Sequence, residues 1–224
     1  PFFEAQEVPQ DPNNPLQAMM ADRGSKLDPL LAAWGVAMAP EDLAADKELA
    51  LRVTFQGGAV DYVLWQSLRA DKEALDSDDI TTSQIDHVNM ASAGILKKVD
   101  GGTTTVTPLM QTTRSSMRIP KSRVQFGPDP KDLLATFQPS GEKLMLAARI
   151  AGNARTAYPE GRPKKQEGDA EAQASPTEEV LTESKGPIQV IVVADVDMLG
   201  DRMWVNEQNF LGQKIARPTA DNGD

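Results

Sequence analysis

The chain has 224 residues, 23 Lys+Arg against 33 Asp+Glu for a formal charge of −10, 40% hydrophobic residues and no cysteine. That length and apolar content suit one domain with a sizeable core, and the acidic balance removes the basic footprint that nucleic acid or an anionic membrane face requires. Without cysteine there are no disulfides, thiol nucleophiles or thiolate metal sites, and the single histidine, His87, leaves no His-rich metal site.

The first 24 residues are rich in Pro, Asn and Asp and read as an exposed entry loop. No start methionine or apolar signal region opens the chain, and its longest uncharged apolar run, 30–39, falls short of the ~20 residues needed to span a bilayer. Both ends read as cuts through a longer polypeptide, so a membrane anchor is expected outside this stretch. Asp28-Pro29 predicts a helix over 29–34, capped by Asp28, stopped at Gly35 and burying Leu30, Leu31 and Trp34. Strands are predicted at 51–55 and 60–65, joined by a hairpin turn at Gln56-Gly57-Gly58-Ala59. A polar loop with a short helix follows over 69–86. A second hairpin is predicted from 95–99 and 103–110 around Asp100-Gly101-Gly102. Asp129-Pro130 opens another helix, with Leu133, Leu134 and Phe137 on one face.

Two runs, 144–150 and 188–194, are apolar on both faces, broken only by Arg149 and Gln189. Such runs suit buried strands of a parallel sheet covered by helices. Arg149 then needs a carboxylate or carbonyl partner, because an unpaired buried charge is costly. Between the runs, 159–187 is too polar to offset its ordering entropy and is expected to be a mobile loop. After the second run, Asp197 is expected to open a helix carrying Met198, Leu199, Met203 and Trp204. The sum is an α/β domain: a mixed, largely parallel sheet flanked by helices, with added hairpins.

Three constellations hold residues able to carry chemistry. Asp195 and Asp197 follow a buried strand, where open α/β sheets place their ligand crevice. They read either as a divalent-metal pair acting on a phosphate or sugar, or as a strand-end turn and a helix cap. Gln111, Thr112, Thr113 and Arg114 offer hydroxyls and a guanidinium to a carboxylate, phosphate or sugar, or else solvate their own loop. His87 lacks a nucleophile partner and reads as an ordinary loop histidine. Asn89-Met-Ala-Ser-Ala-Gly94 brings small residues together, for close approach of a ligand or for tight packing of a turn on a strand.

Several collinear segments resemble the auxiliary component of GldG-type gliding-motility and uncharacterised ABC transport systems. They are Asp28-Pro-Leu-Leu-Ala-Ala-Trp-Gly-Val36, Asn89-Met-Ala-Ser-Ala-Gly94, Thr107-Pro-Leu-Met-Gln-Thr112, Leu146-Ala-Ala-Arg-Ile-Ala-Gly152 and Ala157-Tyr-Pro-Glu-Gly161. The pattern continues through Ser184-Lys-Gly-Pro-Ile-Gln-Val-Ile-Val-Val-Ala-Asp-Val-Asp197 and Thr219-Ala-Asp-Asn-Gly-Asp224. The resemblance implies a class I glutamine-amidotransferase-like domain, with its first strand and helix preceding Pro1. It also implies a periplasmic, membrane-anchored setting beside an ABC permease and ATPase. Enzymes of that fold use a cysteine nucleophile, and this chain has none. The expectation is therefore a non-catalytic binding or coupling module without cofactor or metal, its partners the permease, the ATPase and a polar solute or glycan. A ligand site is expected at Gln111, Thr112, Thr113, Arg114, Asp195 and Asp197. An assembly scaffold is the runner-up and an Asp-Asp metal enzyme the third reading.

Overall fold

The computed structural model describes residues 27–125, 127–161, 181–210 and 213–223. A six-residue helix, α1 (Asp28–Ala33), leads into β1 (Val36–Asp46), β2 (Ala50–Phe55), β3 (Gly58–Arg69), β4 (His87–Ala91), β5 (Gly94–Lys98), β6 (Thr105–Gln111) and β7 (Ser116–Pro120). A second short helix, α2 (Pro130–Ala135), precedes β8 (Met145–Gly152), β9 (Ile188–Val193), β10 (Val205–Phe210) and β11 (Gln213–Pro218). One sheet runs β6-β8-β5-β1-β7, with β9 also pairing β8; a second is β2-β3-β4; β10 and β11 form a separate two-stranded ribbon.

Every strand pairing among the described residues is antiparallel, which overturns the expected parallel α/β architecture and the amidotransferase-like fold. Parallel neighbours need crossovers of about a dozen residues or more, normally a helix, and the two α-helices described have six residues each. The apolar run of β8 has a different cause. Leu144, Leu146 and Ala147 pack with Leu68, Val88 and Met90 in one core cluster, while Ala148 and Ile150 pack with Val36 and Leu96 in another. A central strand serving two clusters is apolar along its length whatever the direction of its neighbours. β9 is not buried on both faces; its six residues are all partly or fully exposed.

Local signals fare better. Gln56 and Gly57 both adopt positive φ, the geometry of a tight hairpin turn, and join β2 to β3 with Phe55 opposite Gly58. Asp129 caps α2, accepting from the Lys131 and Asp132 amides. Helix α1 is where the sequence predicts it, but Leu27 is its N-cap and Asp28 lies in the first turn without a capping bond.

The hairpin expected from 95–99 and 103–110 does not form. β5 pairs with β1 and meets β8 at Leu96↔Met145, whereas β6 pairs along β8 from Thr105↔Ala151 to Gln111↔Met145. The intervening turn instead passes Gly35: the Val99 amide donates to the Gly35 carbonyl at 2.9 Å, and a Cβ on Gly102 would stand 2.9 Å from Gly35 Cα. The helix expected after Asp197 is replaced by two 3-10 turns, Asp197–Leu199 and Asp201–Met203. The entry loop and most of the 159–187 loop lie outside the described residues.

Arg149 has its partner. Its guanidinium donates twice to Asp79, at 2.7 Å each, and so pins the 70–86 loop to the six-stranded sheet. The pair holds the Asp79 carboxyl well below the usual carboxylate range.

Candidate functional site

β4 is the outer strand of its sheet, and its period fixes which backbone groups are left over. Ser92 donates to the Leu64 carbonyl at 2.8 Å in register with Gln66↔Met90, so the even-numbered residues bond β3 and His87, Asn89 and Ala91 face outward. An open row of this kind is a template for a further strand. Here side chains from two distant segments occupy it instead.

Asp221 meets His87: its carboxylate accepts from the Asp86 and His87 amides at 2.9 and 3.1 Å, and its own amide donates to the His87 carbonyl at 3.0 Å. Asn222 meets Asn89 as a strand residue would. Its Oδ1 accepts from the Asn89 amide at 2.9 Å and its Nδ2 donates to the Asn89 carbonyl at 2.7 Å. A carboxamide carries one donor group and one acceptor like a peptide unit, so a single side chain satisfies both backbone groups. Asp195 completes the row: Oδ2 accepts from the Ala91 amide at 2.8 Å and Oδ1 from the Asp197 amide at 2.9 Å.

The same residues fasten the root of the β10–β11 ribbon. Asn89 Nδ2 donates to the Met203 carbonyl, Asn222 Nδ2 to that of Met198, and Thr219 N–H to that of Trp204. His87 Nε2 lies 2.8 Å from the Thr219 carbonyl. Gly223 is required by packing, because a Cβ there would stand 2.7 Å from the Trp204 ring. Beyond its root the ribbon is largely exposed, with polar side chains on both faces.

Asp195 is only 3% exposed, and the Ala91 and Asp197 amides are its hydrogen-bond donors among the described residues. Burial pushes its carboxyl up to about 7; the neighbouring Asp197 carboxylate adds to the rise, and the two amides oppose it. Asp197 is buried and paired with Arg202. Among the described residues, no group of three or more His, Cys, Asp or Glu gathers to hold a metal ion.

The other half of the sequence-derived site is organised around Asp46. The Thr113 amide and hydroxyl both donate to Asp46 Oδ2, at 2.6 and 2.8 Å, while Oδ1 takes the Glu48 and Leu49 amides. Burial raises the Asp46 carboxyl and these bonds lower it. Thr112 is fully buried, its Oγ1 accepting from the Leu144 amide. Gln111 ends β6, its amide on the Ala74 carbonyl; Arg114 is exposed and donates to the Gly141 carbonyl. Thr112 and Ala194 bond Leu144 and Leu146 from opposite flanks of β8, so the two halves share one end of the sheet while serving different partners. Gly94 does mark a close approach, to protein: a Cβ there would meet Met38 Sδ at 3.0 Å. Asp221 and Asn222 were invisible as functional residues except as part of the Thr219–Asp224 motif.

The segments Asn89–Gly94, Asp195–Asp197 and Thr219–Gly223 thus meet in one polar joint, buried at Asn89 and Asp195 and half-buried at Asp221 and Asn222. They define a β-rich domain built around an interlocked strand edge, with no described helix long and apolar enough to cross a membrane. The chain belongs to the auxiliary-component family described as "ABC-type uncharacterized transport system", whose model matches residues 2–224. No curated protein and no solved structure matches it.

Proposed function

We propose that this auxiliary component of an ABC-type transport system is a non-catalytic coupling module. In this reading it is a periplasmic domain of a membrane-anchored protein that relays contacts between the permease–ATPase pair and the envelope, as in GldG-type gliding-motility systems. The observation that carries the reading is the joint at β4. Both strands of the projecting ribbon root there, at Met203–Trp204 and Thr219, and side-chain bonds tie that root to β4 and to the end of β9. A lever whose base is bonded on several sides transmits a displacement instead of absorbing it.

The test is recovery of partners. Affinity purification of the tagged full-length protein from its native membranes should bring down an ABC permease and ATPase. Replacing 207–214 at the ribbon tip by a short Gly-Ser turn should lose them while the fold is kept. Recovery of neither subunit from the unaltered protein would end the proposal.

A polar solute or glycan as ligand is the second reading. It is favoured by an open surface pocket of about 410 Å³ beside the joint, lined by Ser67, Arg69, Ala70, Asp71, Asp86 and His87. Arg69 there is bonded twice to Asp71. A thermal-shift screen of sugars and polar solutes, repeated on Ser67→Trp, separates this reading from coupling alone.

A further inference from the structure

We propose that Asn222 is a modification site: while the joint at β4 is open, the Gly223 backbone nitrogen attacks the Asn222 carboxamide, and the deamidation that follows keeps the joint from closing again. The inference goes beyond the coupling role and rests on the joint geometry alone.

The chain holds seven asparagines, and Asn222 is the one followed by glycine; the other six precede a residue with a Cβ. Deamidation brings the next backbone nitrogen onto the asparagine Cγ, and a side chain on that next residue obstructs the approach. Glycine leaves it open.

The structure calls for both members of this pair. At 222 a carboxamide is needed, because its acceptor and its donor meet the Asn89 amide and carbonyl together, at 2.9 and 2.7 Å. At 223 glycine is needed, because a Cβ would stand 2.7 Å from the Trp204 ring. The contacts that close β4 therefore place a chemically labile dipeptide at the closure itself.

The closed joint protects the group. Nδ2 donates to the Asn89 carbonyl at 2.7 Å and to the Met198 carbonyl at 2.8 Å. It is the atom that leaves as ammonia, so both bonds must break for the reaction to go through. Once the joint opens, solvent base takes the Gly223 amide proton, the nitrogen bonds to Cγ, and the Cγ–Nδ2 bond breaks with loss of ammonia. Water then opens the five-membered imide at either carbonyl, giving aspartate, or isoaspartate in which the main chain runs through Cγ. Ammonia leaves and water enters, nothing is oxidised or reduced, and the mass rises by about 1 Da.

Neither product fits the closed joint. In aspartate the oxygen in place of Nδ2 has no proton to give at neutral pH, so the Asn89 and Met198 carbonyls face a carboxylate. The new charge also adjoins Asp221, whose carboxylate accepts from the His87 amide at 3.1 Å. In isoaspartate Cγ has joined the main chain, so no side-chain carboxamide is left. The backbone is also longer by one atom just before Gly223, where the Trp204 ring leaves no room for a Cβ.

The test holds the 224-residue chain at about pH 8 and 37 °C, native and in unfolding urea, and maps deamidation by peptide mass spectrometry. Asn222 should convert ahead of the other six asparagines in urea, and at least about 100-fold more slowly in native buffer. Refolded chains carrying the modification should exchange the Asn89 amide at least about 10-fold faster than unmodified ones, and Asn222→Asp should do so without incubation. Asn89→Ala removes the bond to the Met203 carbonyl and should speed native conversion about 10-fold. A series in sub-denaturing urea repeats that test should Asn89→Ala unfold. Native and unfolded rates within about threefold of each other overturn the proposal, as does another asparagine converting first in urea. So does modified protein whose Asn89 amide is as protected as before. Recovery of the permease and ATPase is a separate measurement, so the coupling reading fails or stands apart from these results.

Discussion

β4 and β9 are both outer strands, and the chain treats them in opposite ways. On β4, every outward N–H and the His87 and Asn89 carbonyls are taken up by side chains or backbone of Asp195, Asp221 and Asn222. On β9 no hydrogen bond from another described residue reaches the outward groups of Gln189, Ile191 and Val193, and the Gln189 and Ile191 side chains are exposed. An edge closed by side chains resists insertion and fixes what is attached to it, here the ribbon. An open edge invites a further strand.

The largest effect expected on this contrast comes from Asp195. Its folded-state carboxyl, at about 7, lies above the ordinary 3.8 of an unfolded chain. The folded state therefore holds a proton that the unfolded state has already released between about pH 4 and 7. Stability from this group is fully present below pH 4 and is lost as pH rises through 7, a change on the order of 4 kcal/mol. Urea unfolding at pH 5 and 8 should show wild-type stability falling with pH from this source. Asp195→Asn should be the less stable protein at pH 5, because one of the two amides then faces an NH₂ group, with the gap narrowing toward pH 8.

Asn222→Ala comes next. It removes both bonds to Asn89 and the bond to Met198, leaving partly buried backbone groups unpaired, at a cost of about 2–3 kcal/mol. Equilibrium unfolding measures it, and a loss under about 0.5 kcal/mol would show that the edge is not closed by this side chain.

A smaller effect of opposite pH sign belongs to Asp79, beside β9. Arg149 depresses its carboxyl, so the pair stabilises above the ordinary carboxylate range and is lost as pH falls through it. Asp79→Asn should lower Tm at pH 7 and have progressively less effect on acidification, as a pH series of melts would show.

The smallest is a gain. Ser92 turns the chain from β4 into β5 at φ +57°, and its buried hydroxyl has no hydrogen-bond partner among the described residues. Ser92→Gly should stabilise by about 1 kcal/mol in the same unfolding assay.

What the sequence made legible was local. The Asp129 cap, the Gln56-Gly57 turn and the need of Arg149 for a counter-charge each depend on a few neighbouring residues or one unavoidable energetic demand. Pairing was not legible. β5 and β6, adjacent in sequence and joined by Asp-Gly-Gly, lie on opposite sides of β8, because strand direction leaves no mark on an apolar run that is buried anyway. The helix expected after Asp197 failed because the carbonyls of Met198 and Met203 go to Asn222 and Asn89, side chains from elsewhere in the chain. Thr113 looked like a ligand donor for the same reason: its partner, Asp46, is 67 residues away in sequence. The joint itself was present only as three motifs whose meeting no local pattern announced.

Amide hydrogen exchange resolved to single residues tests the central claim most directly. If β4 is closed as described, the Asn89 and Ala91 amides exchange only on global unfolding, despite lying on an outer strand, and Asn222→Ala accelerates Asn89 by the full loss in stability. If Asn89 and Ala91 exchange as freely as the amides on the outer side of β2, which ends its sheet among the described residues, the joint is not locked, and the relay built on it falls.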